Sequence, residues 1–375
     1  EQRKQDIHMK FSLPFWYDLH THLRQDELME PIIQSQKEMG CAGFLAMPNT
    51  KPPVAKVFKN NDLPYWSIEE YQEMILEAGG NDLLSIITPL YLTKDTTPSM
   101  IEEGVKAGLL SACKYYPPHG TTGADFGYPF ENYLQNGVME AIEACGVVLC
   151  VHGEEHHLAG EQYFDRSTNA EEVFYLQRLP KALDKYPSIK LACEHITTKV
   201  AVDFVKDAGG NVAASVTPQH ILYTIGHLLQ GFKYHLYCLP LVKFEEDRNA
   251  IRKAVIDPNN SQFYAGTDSA AHTVKATACG CAAGCFTGGI APQLYAQGFE
   301  EAGANFEIES VQEIFKNFLC HNGREFYDLP IPERSFTLEK KEYNIAPLKT
   351  PNGDIALLPE GLGHNTIPWS LTLNT

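Results

Sequence analysis

The sequence predicts an α/β protein folded as a (β/α)8 TIM barrel with a C-terminal extension. Two observations predict this class. Short apolar runs alternate with amphipathic stretches along the 375 residues, which is typical of repeated β-α units around a parallel sheet. Eight such runs occur, which favours a closed barrel. A doubly wound open sheet is the alternative, but no glycine-rich or Gly-Lys-Ser/Thr phosphate loop follows a predicted strand, so nucleotide binding lacks support.

The predicted strands are the apolar runs of strand length. In chain order they cover residues 15–20, 43–47, 83–92, 111–115, 147–152, 190–195, 211–217 and 262–267. Helices are predicted between them, where apolar residues recur at helical spacing. These helices include residues 27–39, 98–107, 131–145, 171–185 and 198–207.

One domain with two flanking segments is expected, because no low-complexity linker divides the chain. Residues 1–14 are predicted as an N-terminal extension, loose before Phe11 because its sequence is polar. Residues 15–342 are predicted as the barrel. Residues 343–375, which are rich in Pro and Gly, are predicted as a tail packed on the barrel.

Composition narrows the function. With 30 Lys and Arg against 47 Asp and Glu, the net charge of −17 repels phosphate backbones and anionic membranes, so neither nucleic acid nor membrane is an expected partner. The apolar runs are shorter than the roughly 20 residues of a membrane helix, and no signal-peptide pattern opens the chain. Several of the 10 cysteines lie in apolar stretches, which favours reduced thiols. A soluble, cytoplasmic protein is expected.

Polar residues that can bind a metal lie at the ends of five of the eight predicted strands. Because the carboxyl ends of barrel strands meet at one mouth, these side chains should be neighbours. His20 and His22 lie one residue apart on one face of an extended segment, and neutral imidazole is a common ligand for zinc-like metals. The set comprises His20, His22, Lys114, His152, His195 and Asp268.

Each of these residues also has an ordinary structural interpretation. His20 and His22 could be a solvated or packed pair, and His152 or His195 a hydrogen-bonded core residue. Asp268 could cap a helix, and Lys114 could pair with a surface carboxylate. It is their common position at strand ends that favours a metal site over these alternatives.

Lys114 indicates a site for two divalent metal ions, with zinc expected. A buried ammonium beside metal ligands is disfavoured by desolvation and by repulsion between cations. Conversion to a carbamate removes this problem, and a carboxylated Lys114 can bridge two ions. His20, His22 and Asp268 would then serve one ion, with His152 and His195 serving the other.

As a set, these segments resemble the amidohydrolase superfamily and, within it, the dihydroorotase family of the shorter, bacterial-type class. The similarity runs from about Trp16 to about Leu329. The segments that carry it are Asp18-Leu-His-Thr-His-Leu-Arg24, Met47-Pro-Asn-Thr50, Lys114-Tyr-Tyr-Pro, Val151-His-Gly-Glu154, Glu194-His-Ile-Thr-Thr198, Thr217-Pro-Gln-His220, His235-Leu-Tyr-Cys-Leu-Pro240, Gly266-Thr-Asp-Ser-Ala270 and Cys279-Gly-Cys281.

The resemblance implies a set of substrate-binding residues. Arg24, Asn49 and His272 would bind a substrate carboxylate, which suits a planar guanidinium and a side-chain amide. Without the resemblance, Arg24 would be interpreted as a surface charge and Asn49 as a turn residue. Backbone groups of Leu239 and Ala282 would hold the substrate ring and carboxylate. Thr121 and Thr122 match a loop that closes over substrate.

The implied reaction is the reversible hydrolysis of the cyclic amide of dihydroorotate to N-carbamoyl-L-aspartate, in pyrimidine biosynthesis. Two metal ions would supply a hydroxide and polarise the carbonyl. Asp268 would act first as base and then as acid. A homodimer is also implied.

Two rival functions stay open. A hydantoinase or allantoinase would share the metals but lack the clamp of Arg24, Asn49 and His272. A non-catalytic barrel could instead serve as a partner subunit, although six retained metal-site residues speak against it. Among other candidate ligands, His156 and His157 are predicted to lie in a polar loop, and Cys238, Cys279, Cys281 and Cys285 are predicted to be free thiols because their spacing does not fit a zinc knuckle.

Overall fold

Eight parallel strand positions form a ring within residues 9–375, the part of the chain that the computed structural model describes. Each predicted apolar run provides one position. In order they are Trp16–His22, Cys41–Ala46, Ser85–Ile87 with Leu90–Tyr91, Ala112–Tyr115, Val148–Val151, Lys190–Cys193, Val212–Val216, and Phe263–Ala265 with Ser269–Ala270.

Two strand positions are split, and the splits close the ring. In the third position, Ser85–Ile87 pairs with the second strand and Leu90–Tyr91 pairs with the fourth. In the eighth, Phe263–Ala265 pairs with the seventh strand and Ser269–Ala270 pairs with the first, where Ser269 lies opposite Thr21. The prediction of an eight-stranded barrel is confirmed.

Helices connect the strands. Several begin at a side chain that caps their free N–H groups, as Ser67 does through reciprocal bonds with Glu70. The helices are Met29–Glu38, Ile68–Glu77, Pro98–Lys106, Phe130–Gln135, Val138–Ala144, Gly160–Tyr163, Ala170–Val173, Leu179–Lys185, Lys199–Asp207, Pro218–Leu222, Ile225–Leu229, Glu245–Val255, Ala291–Glu301, Glu309–Lys316, Asn322–Phe326 and Leu358–Gly361.

Two of the predicted helices differ from the structure. The segment 131–145 forms two helices because Gly137, with φ of +85°, breaks the helical path between them. The segment 171–185 contains a widened turn at Phe174–Arg178. Pro180 follows this turn and has no N–H to donate to it, which favours the widening.

The two ends of the described chain meet in a small antiparallel sheet outside the barrel. Lys10–Pro14 and Ser370–Leu373 pair with the two edges of Ser335–Glu339. Residues 10–14 of the predicted N-terminal extension therefore form an ordered strand, in which only Lys10 belongs to the part predicted to be loose. Residues 1–8 lie outside the described residues. The domain boundaries at 14/15 and 342/343 stay predictions.

Part of the predicted tail joins the main hydrophobic core. Trp369 is fully buried, and its ring lies 5.4 Å from that of Phe306. Ile355, Leu357 and Ile367 are also buried in this core. Across residues 9–375, none of the helices combines the length and apolar character that spanning a membrane requires.

Candidate metal centre and active site

Four histidines and an aspartate meet at the carboxyl ends of the barrel strands. His20 and His22 end the first strand, His152 and His195 follow the fifth and sixth, and Asp268 lies between the two parts of the eighth. All five side chains line one cavity. Asp268 and His195 have positive φ angles, +50° and +38°, which are uncommon for residues other than glycine and mark both turns as specialised.

The ligand atoms of three of these residues are close enough to share one ion. One donor atom from each of His20, His195 and Asp268 lies within 4.8 Å of the others. Asp268 Oδ1 is 3.2 Å from His20 Nε2 and 2.8 Å from His22 Nε2. Asp268 therefore stands between the two histidines of the first strand.

The second part of the centre contains His152, His195 and Lys114. The rings of His152 and His195 are 4.7 Å apart, centroid to centroid. Lys114 is fully buried, and its Nζ has no hydrogen-bond partner among the described residues. Burial lowers the pKa of Lys114, which favours the uncharged amine. A buried amine with a lowered pKa and no hydrogen-bond partner in the described part of the chain fits the predicted carbamate.

Two of the metal-site histidines are held in the neutral form that binds metals. Burial lowers the pKa of His22 to about 4 and that of His195 far below its ordinary value, so both are neutral. His195 Nδ1 is buried and, within residues 9–375, unpartnered. Burial alone would raise the pKa of Asp268, but His20 and His22 hold it well below the ordinary value. The donors present therefore fit divalent metal ions.

Buried carboxylates orient two of the metal-site histidines. Glu194 Oε2 lies 2.5 Å from His20 Nδ1 and accepts a 2.7 Å hydrogen bond from Ser215 Oγ. Glu154 Oε1 lies 2.7 Å from His152 Nε2. Such partners fix the ring and select the nitrogen that faces a metal. The sequence predictions missed both roles, although Glu194 is a charged residue that directly follows the apolar residues Leu191, Ala192 and Cys193.

Arg24 and Asn49 lie on the same cavity as the metal-site residues. Arg24 Nε donates to the carbonyl of Ala271 at 3.0 Å, and its Nη2 lies 3.2 Å from His272 Nε2. Asn49 Oδ1 is 2.9 Å from His22 Nδ1, and Asn49 Nδ2 donates to the carbonyl of Thr122 at 3.0 Å. The structure thus brings a guanidinium and an amide next to the histidine pair.

Thr121, Thr122 and Leu239 also line the cavity, but Ala282 does not. Its backbone N–H and carbonyl are both engaged by Lys275. Ala283 and Gly284 form the wall instead, and the carbonyl of Ala283 is 2.8 Å from His272 Nε2. Ala282 is thus next to the cavity wall rather than part of it, and its role in substrate binding stays a prediction. The segment from Cys281 to Cys285 has few distinctive residues, so the sequence could not fix its alignment.

The other candidate ligands lie outside the cavity. His156 Nδ1 pairs with Glu155 at 3.1 Å, and the His156 and His157 rings contact each other. Cys238, Cys279, Cys281 and Cys285 form no disulfide bonds. Of the described residues, only His20, His195 and Asp268 form a compact group of three potential metal ligands.

A parallel barrel whose strand ends present four histidines, an aspartate and a buried lysine is the architecture of the amidohydrolase superfamily, a class of metal-dependent hydrolases. Comparisons with known proteins narrow this class. Curated dihydroorotases of Psychromonas ingrahamii and Nitrosococcus oceani are each 36% identical to the chain, over 332 and 358 residues. These alignments cover 88% and 94% of the chain, and 90% and 96% of the relatives. The chain belongs to the dihydroorotase family.

Solved structures share the fold. A dihydroorotase of Saccharomyces cerevisiae, in complex with 5-fluoroorotic acid, superposes with a TM-score of 0.83 at 24% identity, covering 97% of this chain and 99% of that one. An L-hydantoinase of Arthrobacter aurescens superposes with a TM-score of 0.72 at 15% identity, covering 97% and 84%. No family model matches the sequence. The family is one of cyclic amidohydrolases that use divalent metals.

Proposed function

We propose that this protein catalyses the reversible hydrolysis of (S)-dihydroorotate to N-carbamoyl-L-aspartate, a step of de novo pyrimidine biosynthesis. The observation that carries the proposal is a single cavity that joins a metal-type donor set to a carboxylate-type clamp. His20, His22 and Asp268 stand on one side of this cavity. Arg24 and Asn49 stand beside them, where a carboxylated ring amide would meet both groups.

The metal residues fit two divalent ions, for which we propose zinc. His20, His22 and Asp268 would hold one, His152 and His195 the other, and Lys114, carboxylated at Nζ, would bridge them. When bound, such ions lower the pKa of a coordinated water towards about 7 and polarise the substrate carbonyl. Glu194 and Glu154 keep His20 and His152 oriented for this task.

Asp268 is the proposed proton carrier. Its Oδ1 faces His20 and His22 and also borders the cavity in which the amide would lie. Because its pKa is held low, it is ionised and able to accept a proton from the attacking water. It would then deliver that proton to the departing ring nitrogen, and it would act in the opposite order when the ring forms.

Arg24, Asn49 and His272 would recognise the substrate carboxylate. Arg24 offers a forked pair of donors and Asn49 an amide, while His272 would position the guanidinium, since its Nε2 lies 3.2 Å from Arg24 Nη2. Backbone groups at Leu239 and at Ala283 complete this wall. Hydantoin and allantoin carry no such carboxylate, so the clamp favours dihydroorotate over them.

Thr121 and Thr122 would cover the bound substrate. The Thr122 carbonyl accepts a hydrogen bond from Asn49 Nδ2, and the adjacent carbonyl of Gly123 accepts a 2.8 Å hydrogen bond from Tyr91 Oη. In this position the loop excludes water from the reacting amide. A cytoplasmic location is also proposed, since all ten cysteines are free thiols. The homodimer implied by the resemblance likewise stays a proposal.

The test is to incubate purified protein separately with dihydroorotate, hydantoin and allantoin, and to quantify ring opening by chromatography. Carbamoyl aspartate should accumulate from dihydroorotate, and dihydroorotate should form when carbamoyl aspartate is supplied. Faster turnover of hydantoin or allantoin would assign the site to another cyclic amide. Absence of turnover with every substrate, in protein carrying fewer than one metal per chain, would favour the non-catalytic barrel.

A further inference from the structure

Lys275 is a buried lysine whose ammonium is saturated by main-chain carbonyls. Its Nζ donates to Tyr237 at 2.7 Å, to Ala282 at 2.5 Å and to Gly284 at 2.7 Å. The residue is 7% exposed. An ammonium has three N–H donors, and all three are used here. Because a buried charge costs free energy unless its bonds are satisfied, this arrangement holds the three carbonyls in a fixed relation.

These carbonyls belong to two segments that form the wall of the cavity. Tyr237 precedes the lining residue Leu239 by two positions, and Gly284 lies on the wall itself. Further main-chain bonds join the segments: Gly284 N–H donates to Tyr237, and Ala282 N–H donates to Lys275. Two short strands, Ala276–Thr277 and Gly280–Cys281, lie between Lys275 and Ala282 in the sequence. They are largely exposed, so they bury little surface that could stabilise this part of the cavity wall. The ammonium therefore connects the two segments.

The same wall fixes His272 next to Arg24. The Ala283 carbonyl is 2.8 Å from His272 Nε2, which therefore carries the proton and donates it. Burial and the nearby guanidinium lower the pKa of His272 to about 3, so the ring is neutral. The main chain at Gly284 packs tightly against His272, because a Cβ there would lie 2.8 Å from His272 Nε2 and 2.7 Å from Ala270 Cβ. A shift of residues 282–284 would therefore displace His272.

We propose that Lys275 is a positioning residue for substrate specificity: by binding the carbonyls of Tyr237, Ala282 and Gly284, it holds Ala283 and His272 in place beside Arg24, the residue that would bind the substrate carboxylate. Lys275 does not line the cavity itself. It acts through the main chain that it binds. The inference rests on the proposed function, because it assigns a determinant of affinity for the carboxylate of dihydroorotate.

The test compares Lys275→Met with the unaltered enzyme, both loaded with zinc. Methionine keeps the apolar stem but removes the three donors. We expect the KM for dihydroorotate to rise about tenfold or more, with kcat changed less than about threefold, because the wall loosens while Asp268 and the metal residues stay in place. Metal content should be unchanged. Lys275→Arg should not restore KM, since a planar guanidinium does not direct its donors as an ammonium does.

Lys56 provides a matched control. It is 8% exposed and also holds a loop by donating to carbonyls, those of Asn61 and Leu63, but it is not among the residues of the metal-site cavity. Lys56→Met should lower the thermal midpoint and leave KM unchanged. A KM for Lys275→Met equal to that of the unaltered enzyme, or an equal rise in both variants, would overturn the inference.

Failure of the proposed function and failure of the Lys275 role give different results. If the unaltered enzyme does not hydrolyse dihydroorotate, the proposed function is wrong. If it does and Lys275→Met behaves normally, only the role of Lys275 is wrong. Should Lys275→Met not fold, Gly284→Ala tests the same wall by crowding His272, and it should also raise KM with little change in kcat. An unchanged KM in that variant would contradict the inference.

Discussion

His22 Nε2 lies 2.8 Å from Asp268 Oδ1, although 246 positions separate the two residues in the sequence. The first and eighth strands are joined by the pairing of Thr21 with Ser269, which places the two side chains at the same mouth. The closing seam of the barrel is therefore also the place where the proposed proton carrier meets the metal-site histidines.

Asp268→Asn should abolish most turnover while leaving metal bound. An amide does not accept the proton that the carboxylate would take, and loss of such general acid-base catalysis costs about 10²- to 10⁴-fold in rate. The readouts are kcat and metal content measured on the same preparation. Asp203→Asn, at an exposed carboxylate, is the control and should be normal. Near-normal turnover in Asp268→Asn would remove the proton-carrier role.

Arg24→Met should weaken substrate binding rather than the chemical step. Loss of a charge-assisted, partly buried contact costs about 2–4 kcal/mol, which corresponds to roughly a 30- to 1000-fold rise in KM. Steady-state kinetics with dihydroorotate measure this change. Arg166→Met alters an exposed arginine and should have no effect on KM. If Arg24→Met bound dihydroorotate normally, the carboxylate clamp would be disproved.

Glu194→Gln should loosen the metal centre. The carboxylate holds His20 Nδ1 and accepts from Ser215, and removal of such an orienting partner typically lowers metal affinity by about 10- to 100-fold. Competition with a chelator measures the affinity directly, without reference to activity. Glu313→Gln, on the surface beside Lys316, serves as the control. Equal metal retention in both variants would show that Glu194 has no such role.

Glu171→Gln should change how stability depends on pH. Burial raises the pKa of Glu171 from 4.5 to about 7, opposed by the nearby Lys243. Between these values the folded protein keeps a proton that the unfolded chain releases. The free energy of unfolding therefore falls as pH rises, by up to about 1.4 kcal/mol per pH unit from this group. Glutamine cannot ionise, so in the variant this position does not lower the free energy of unfolding as the pH rises.

The measurement for Glu171→Gln is denaturant unfolding of both proteins at pH 5 and pH 8. Relative to the unaltered protein, the variant should be more stable at pH 8 than at pH 5. Glutamine can still accept the bond from Thr197 N–H that the carboxylate accepts, so this contact is retained. A stability difference that is the same at both pH values would mean that Glu171 does not titrate in this range.

The barrel could be predicted because each strand position is an apolar run followed by a turn or a helix start. The position of the metal residues followed from the same pattern, since parallel strands place His20, His152, His195 and Asp268 at one mouth. The splitting of the third and eighth strands could not be predicted from the sequence. Residues 83–92 look like one apolar run, and only pairing with different neighbours divides them.

Other features depend on contacts between distant segments. Residues 10–14 form a strand because Ser335–Glu339 provides an edge for them, and nothing near residue 10 signals this. The role of Glu194 depends on His20, 174 positions away. The role of Lys275 could not be predicted from the sequence, because its partners are main-chain carbonyls, which leave no signature in a sequence. Ala282 and Ala283 are identical residues, and only the structure separates their surroundings.

The metal dependence of dihydroorotate hydrolysis most directly tests the proposal that two metal ions drive this reaction. Metal per chain and kcat/KM should be measured before chelation, after chelation, and after addition of two equivalents of zinc with bicarbonate. Activity should fall as the metal is removed and return as the second ion binds. Undiminished hydrolysis of dihydroorotate in protein with fewer than one metal ion per chain would contradict it.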